Sequence, residues 1–287
     1  MSEEKKYEIY GHRGARGYFP ENTLVGFIEA VKIGIHWLEL DVVISKDKKV
    51  VVSHEPWMST KLCTLPDGCP VTSRKYNLYK MNYEEIKKFD CGKRTDKNFL
   101  KQKSIPSYKP LLNEMIDEVD AYTSEHDLPQ IKYCIEIKSF KITERKYQPP
   151  AKEFAELVYQ VIKEKKIENR VLVQSFDRRI LRHFQKLDST VKTGLIFINL
   201  FSVKTNIKKL GFVPYSYNPY HNFITKRMID KAHEIGMKVI AWTVNDEKRM
   251  KQLIKNDVNG IVTDYPDIAL RTCSRISADC SYLAEKT

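Results

Sequence analysis

Histidines, arginine and acids crowd into the stretch from Gly11 to His54, which reads GHRGARGYFPENT and then, after a helix-like segment, WLELDVVISKDKKVVVSHE. Polar side chains at the ends of apolar strands are costly to bury unless they pair, bind something or face a solvent-filled mouth. His12, Arg13, Glu39, Asp41 and His54 are therefore candidates for a site. Side chains two apart on a strand share a face, so Glu39 points with Asp41, and Glu136 of CIEIK points with Lys138. Each carboxylate alone could pair with an interior Arg or Lys; three on one layer favour a bound cation. A solitary histidine is usually structural, whereas two around a carboxylate cluster point to proton transfer.

Positioning these groups requires strands that end together. Short β-branched runs alternate with amphipathic stretches, the pattern of βα units. Eight strands are predicted: YEIYGH, WLELDVV, KYCIEIK, VLVQSF, KTGLIF, VPYSYN, KVIAWTV and GIVTDY. The alternation alone fits a doubly wound open sheet equally well; the count of eight favours an α/β fold of the (β/α)8 TIM-type barrel class, with catalytic residues at the C-terminal strand ends. Asn22 or Thr23 is placed to cap the first helix, Asp177 a later one, and Thr225 the helix that ends on Gly236. VVISKDKKVVVSHE reads as a hairpin, and a tip at Asp47 and Lys48 would set His54 opposite Asp41; a slip of one residue would turn it to the other face. Residues 55–110 are too long for an ordinary loop and are expected to form a small inserted cap on a single barrel spanning 1–287, with SFKITERKYQPP on the same rim.

Lysine and arginine total 49 against 37 acids, a formal charge of +12. The charge lies in mixed runs such as KDKK, as on solvated helix faces, so no nucleic-acid partner is expected; it would steer an anionic substrate. No run approaches about 18 apolar residues, so no stable membrane anchor is expected. MSEEKKYEIYG lacks the apolar core of an export leader, which reads as cytoplasmic, or as periplasmic or exported if a leader was removed. The six cysteines lack zinc-ligand spacing; Cys63 and Cys69 flank TLPDG and could pair in an exported protein. Oligomeric state is not legible.

The ordered set HRGARGYFPENT, ELDVVISKDKKVVVSHE, CIEIK, QSF, AWTVN and GIVTDYP, between about residue 9 and 267, resembles the motif series of glycerophosphodiester phosphodiesterases. That resemblance implies a cation-dependent barrel with Glu39, Asp41 and Glu136 as metal ligands, and His12 and His54 as the acid–base pair in either order. It implies Arg13 and Lys138 as phosphate contacts and Trp242, Phe176 and Tyr217 as pocket walls. Oxygen-only ligation suits Mg²⁺ or Ca²⁺. Three carboxylates, a divalent cation, a diester charge, Arg13 and Lys138 sum to zero. The implied reaction is hydrolysis of a small-molecule glycerophosphodiester to glycerol 3-phosphate and an alcohol. The attacking group would be water or the substrate's own glycerol hydroxyl. The alternatives are a lysophospholipase D-like activity, for which only Trp57 and Met58 suggest an apolar rim, or a non-catalytic phosphate-ester binder. Glu55 stands where such proteins commonly have Asp.

Overall fold

The computed structural model describes residues 7–284. The first six residues, on which the leader expectation partly rests, and the Cys280 side chain lie outside that description. All eight predicted strands form: β1 (Glu8–His12), β2 (Trp37–Ile44), β4 (Lys132–Ile137), β5 (Val171–Ser175), β6 (Lys192–Phe197), β7 (Ser216–Pro219), β8 (Lys238–Ala241) and β9 (Gly260–Thr263). Each pairs parallel with the next, and β9 returns to β1, closing a (β/α)8 barrel. β3 (Val50–Val52) turns back antiparallel on the end of β2.

Strand alternation sorts the side chains into two layers. One parity of each strand packs against the helices, including α1 (Leu24–Ile33), α3 (Leu112–Glu125), α4 (Ala151–Glu164) and α5 (Arg178–Leu187), and supplies the main core through residues such as Leu40, Ile135, Val173 and Leu195. The other parity fills the barrel. Tyr10, Trp37, Cys134, Leu172, Ile240 and Val262 form an apolar plug in its N-terminal half. Two residues further along the same strands come His12, Glu39, Glu136, Gln174, Trp242 and Asp264. Polar groups thus sit one layer above a dry floor, at the C-terminal mouth.

Local signals set the joints. The Thr23 hydroxyl accepts from the Gly26 amide at the start of α1, and Gly34 closes that helix at φ 98°. Asp177 caps α5, and Thr225 caps α7 (Lys226–His233). Asn22, the other candidate cap, is instead at φ 54° and turned inward. Gly14, at φ 90°, is pressed onto α1, where an added Cβ would lie 2.6 Å from the Gly26 carbonyl oxygen.

Residues 55–110 leave the ladder after β3 and carry a small core of their own, in which Met58, Cys63, Leu78, Ile86 and Phe89 pack on Val43 and Val51 of the hairpin. The segment includes one short helix, α2 (Tyr83–Ile86), begun by Asn82. Three expectations need correction here. Cys63 is bonded to Cys91, not to Cys69, because the bridge between Thr64 and Asp90 sets the two sulfurs side by side while a tight turn from Leu65 to Cys69 leaves Cys69 exposed. Met58 is fully buried and Trp57 is covered by Tyr147 and Arg74, so neither forms an apolar rim. The hairpin closes through Ser45 and Lys49, pairing Val42 with Val52; Asp41 therefore lies opposite Ser53, one residue from the predicted register.

Candidate active site

Glu39 and Asp41 rise from β2 and Glu136 from the neighbouring β4, where Asp41 and Glu136 are direct register partners. All three are buried, and one ligand oxygen from each lies within 4.8 Å of the others. Burial, and then the Asp41 and Glu136 carboxylates, push the Glu39 carboxyl well above its usual range. Lys138 bridges this cluster, 2.6 Å from Glu136 and 2.9 Å from Asp41. Arg13 comes from the other side, with Nη1 2.9 Å from Glu21 and Nε 3.0 Å from Asp41. Its backbone is left-handed, at φ 52°, and its amide donates to Glu39 Oε2 at 3.2 Å. Asn22 donates to Asp41 Oδ2 at 2.9 Å, and Gln174, itself held by Asn218, donates to Glu39 Oε1 at 3.2 Å.

His12 ends β1 with Nδ1 2.6 Å from Asp264 Oδ1 and Nε2 3.9 Å from Glu39 Oε2. Asp264 also accepts from Arg16 at 2.7 and 3.0 Å and from Asn245 at 2.6 Å. Burial opposes its charge, but His12 and Arg16 outweigh that and hold it well below the usual carboxylate range. An ionised Asp264 accepts the Nδ1 proton and so leaves Nε2, facing the carboxylates, as an acceptor. Burial lowers His12 to about 4, with Arg16 and Arg13 adding to the effect and Asp264 opposing it. Asp264 was not singled out in the sequence: it directly follows β9, 252 residues from its partner, and its only local signal is an acid at a strand end.

His54 lies just past β3, outside the ladder, so its placement does not follow strand alternation. Its Nδ1 is 3.1 Å from Glu55 Oε1. It nevertheless stays within electrostatic reach of Asp41, which burial would raise but Lys138, Arg13 and His54 hold down. Glu55, despite burial, is pulled to about 2, first by its bond with His54. A second residue outside the sequence reading is Lys109, buried at the exit of the 55–110 segment, with Nζ donating to Ser53 Oγ at 2.9 Å. Burial lowers its pKa.

Trp242 and Phe176 meet edge to face at 5.6 Å, and the indole N–H donates to the Asn218 carbonyl at 2.8 Å. Phe140 and Tyr220 extend this aromatic wall. Tyr217 does not join it. It is buried on the helix-facing side of β7, against Phe197, and its hydroxyl accepts from Asn206 at 2.8 Å. Its neighbours Ser216 and Asn218 take the interior positions, so the pocket-wall assignment fails on strand parity.

The donor set fits a divalent cation. Asp41 Oδ1 is buried without an aligned hydrogen-bond donor, although Lys138 is close. Glu21, Glu39, Asp41, Glu136 and Asp264 face Arg13, Arg16 and Lys138, which with all five acids ionised is an excess of two negative charges in a buried layer, and Glu39 is the acid whose charge that excess opposes. One divalent cation balances the excess; the shorter count made from the sequence omitted Glu21, Asp264 and Arg16. Together, a C-terminal barrel mouth, three carboxylates placed to hold a cation and two flanking imidazoles are the parts that metal-assisted hydrolysis of a phosphoric diester requires.

The sequence profile of the Glycerophosphoryl diester phosphodiesterase family matches residues 12–268, and the chain belongs to that family. It is 29% identical to the glycerophosphodiester phosphodiesterase of Caldanaerobacter subterraneus subsp. tengcongensis, over 90% of this chain and 94% of the relative. It is 25% identical to lysophospholipase D GDPD1 of Mus musculus, over 89% of this chain and 82% of that one. Among solved structures, the Oleispira antarctica phosphodiesterase in complex with the product sn-glycerol-3-phosphate shares the fold, with a TM-score of 0.74, 22% identity and coverage of 93% and 96% of the two chains. No helix among the described residues is long and apolar enough to cross a membrane.

Proposed function

We propose that the protein hydrolyses glycerophosphodiesters to glycerol 3-phosphate and an alcohol, using one divalent cation, Mg²⁺ or Ca²⁺, held by Glu39, Asp41 and Glu136. The observation that carries this reading is the carboxylate cluster lying between a tautomer-fixed His12 and a more open His54. A cation bound there supplies Lewis-acid polarisation of a phosphoryl oxygen.

The chain's own groups supply the rest. His12, with Nδ1 donating to Asp264, presents Nε2 to take the proton of the attacking hydroxyl, whether from water or from the substrate's glycerol. His54, oriented by Glu55 and one-third exposed at the mouth, returns a proton to the leaving alkoxide. Lys138 and Arg13 already sit against the carboxylates, so their charge is in place when negative charge builds on phosphorus. Trp242 and Phe176 offer apolar faces to the glycerol carbons.

³¹P NMR of a reaction with sn-glycero-3-phosphocholine tests this directly. The expected result is conversion of the diester resonance to glycerol 3-phosphate, stopped by EDTA. Release of phosphocholine instead, or an unchanged diester in the presence of cation, would refute it. The same assay with lysophosphatidylcholine addresses a second reading, lysophospholipase D, which is favoured by the similarity to the mouse enzyme.

A further inference from the structure

Exposed large apolar side chains are distributed unevenly between the two ends of the barrel. Leu100, Ile142 and Leu200 are 96%, 93% and 82% exposed, and all three lie on loops at the C-terminal mouth. Ile142 follows β4 and Leu200 follows β6. Leu100 sits over the loop after β1, where the Gln102 amide donates to the Arg16 and Phe19 carbonyls. At the opposite end Leu187 at 37% stands alone, while Val213 at 53% and Ile235 at 43% line the same groove as Leu200 and Phe201. From Leu200 and Phe201 the apolar surface continues into a groove of about 960 Å³ beside Val203, Ile207 and Met228, between α6 (Val203–Leu210) and α7. Isolated exposed leucines are ordinary, but loops from three sectors projecting the same chemistry past one rim are not.

The charge beside these side chains is mostly positive. Residues 96–103, 139–146 and 197–209, the last running into α6, carry nine lysines and arginines against Asp96 and Glu144, and Glu144 is paired with Arg179. Lys209 lies over the Phe201 ring at 3.7 Å, so the basic and apolar groups are interleaved. Protruding aliphatic side chains set among lysines are what a headgroup layer of acidic phospholipid accommodates: the side chains enter the acyl boundary and the ammonium groups stay with the phosphates. Trp57 and Met58 take no part.

We infer that the mouth face of this barrel is a peripheral docking surface for an anionic lipid membrane, bringing the active site to the interface where glycerophosphodiesters arise. The membrane contact stands on the rim alone; its purpose rests on the function proposed above. The contact is reversible, because a few aliphatic side chains and screened charges make no permanent anchor.

Sedimentation with sucrose-loaded vesicles tests it. The wild type is expected to pellet with phosphatidylcholine vesicles containing phosphatidylserine at low salt, and to bind about tenfold less to pure phosphatidylcholine or in concentrated salt. The double variant Ile142→Asp/Leu200→Asp should lose most binding, roughly tenfold or more, since each site exchanges an inserted side chain for a charge repelled by the surface. Leu187→Asp, at the opposite end, should bind as the wild type does. Both variants should keep the wild-type melting curve and turnover of soluble sn-glycero-3-phosphocholine.

No pelleting by the wild type, or equal pelleting by the double variant, would overturn the inference. So would a wild-type dimer in size-exclusion chromatography that the double variant dissolves without any vesicle binding, because a second copy would then cover the face. Vesicle binding without diester turnover would sink the proposed function and leave the docking surface standing; turnover without vesicle binding would do the reverse.

Discussion

Asp264→Asn removes the one contact that fixes the tautomer of His12 while keeping the size of the side chain. Asp264 Oδ1 now accepts from Nδ1 at 2.6 Å, so Nε2 is free to take a proton. Arg16 Nη2 and Asn245 donate to Oδ2, so an asparagine that keeps its oxygen there turns its amide toward His12 and toward Arg16 Nε, which now shares Oδ1 with His12. Nδ1 would become the acceptor, and the proton would move to Nε2. His12 would then face the attacking hydroxyl with a proton already in place. General-base catalysis contributes about 10²–10⁴-fold, and the same exchange behind a serine-protease histidine costs roughly 10⁴, so a fall in kcat of about 10²–10⁴ is expected, with KM little changed. Arg16 would keep only Glu21, at 3.5 Å, as a charged partner, which should cost a further ~1–3 kcal/mol of stability, separable from the kinetic effect by a denaturant melt. Arg16→Gln is the control, because it breaks the other side of Asp264 without donating to His12, and should cost less than about tenfold. A folded Asp264→Asn protein with kcat within a few fold of wild type in a choline-release assay would refute the role of Asp264 and the base assignment of His12.

Asp41→Asn should weaken cation binding most sharply among the three proposed ligands, since Asp41 is ion-paired with both Lys138 and Arg13 and its Oδ1 has no aligned donor. At a Ca²⁺ or Mg²⁺ concentration 100-fold above Kd, the wild type should gain about 2.7 kcal/mol of stability and the variant almost none, as read by thermal shift. Cys91→Ser should lower stability by about 3–4 kcal/mol, because the bond to Cys63 closes a loop with a sequence separation of 28; peptide mapping without reductant checks the pairing, and a Cys63–Cys69 peptide would contradict it. Asp177 is held below its usual pKa: burial opposes the shift, but bonds from Arg179 and Ser139 outweigh it. Its folded pKa being depressed, the stability it contributes is present above the unfolded pKa near ~3.9 and is lost as pH falls below it. Asp177→Asn, which can still cap α5, should therefore be less stable than wild type by roughly 1 kcal/mol at pH 6 in urea melts, the gap closing as the pH falls through the depressed folded pKa.

How much of this was legible in the sequence follows from the range of each signal. Strand alternation is local and strict, so the shared faces of Glu39 with Asp41 and Glu136 with Lys138 could be read directly, and so could the eight strands that carry them. His54 depends on the turn before it: Ser45 and Lys49, rather than Asp47 and Lys48 alone, close the hairpin, and that single step moved Ser53 opposite Asp41. Tyr217 failed on the same period of two, because Asn218 takes the inward place on β7 to hold Gln174. Asp264 and Lys109 reach their partners only through barrel closure and through the path of the 55–110 segment. Cys91 meets Cys63 through a bridge between Thr64 and Asp90 that no spacing announces.

The most direct test of the central claim is a titration of EDTA-treated protein with Mg²⁺ or Ca²⁺, following glycerol 3-phosphate release from sn-glycero-3-phosphocholine alongside calorimetric binding. The expected result is no turnover without cation, return of activity as a single ion binds, and loss of both in Asp41→Asn. Full activity in EDTA, or binding that persists unchanged in Asp41→Asn, would contradict a cation held by Glu39, Asp41 and Glu136.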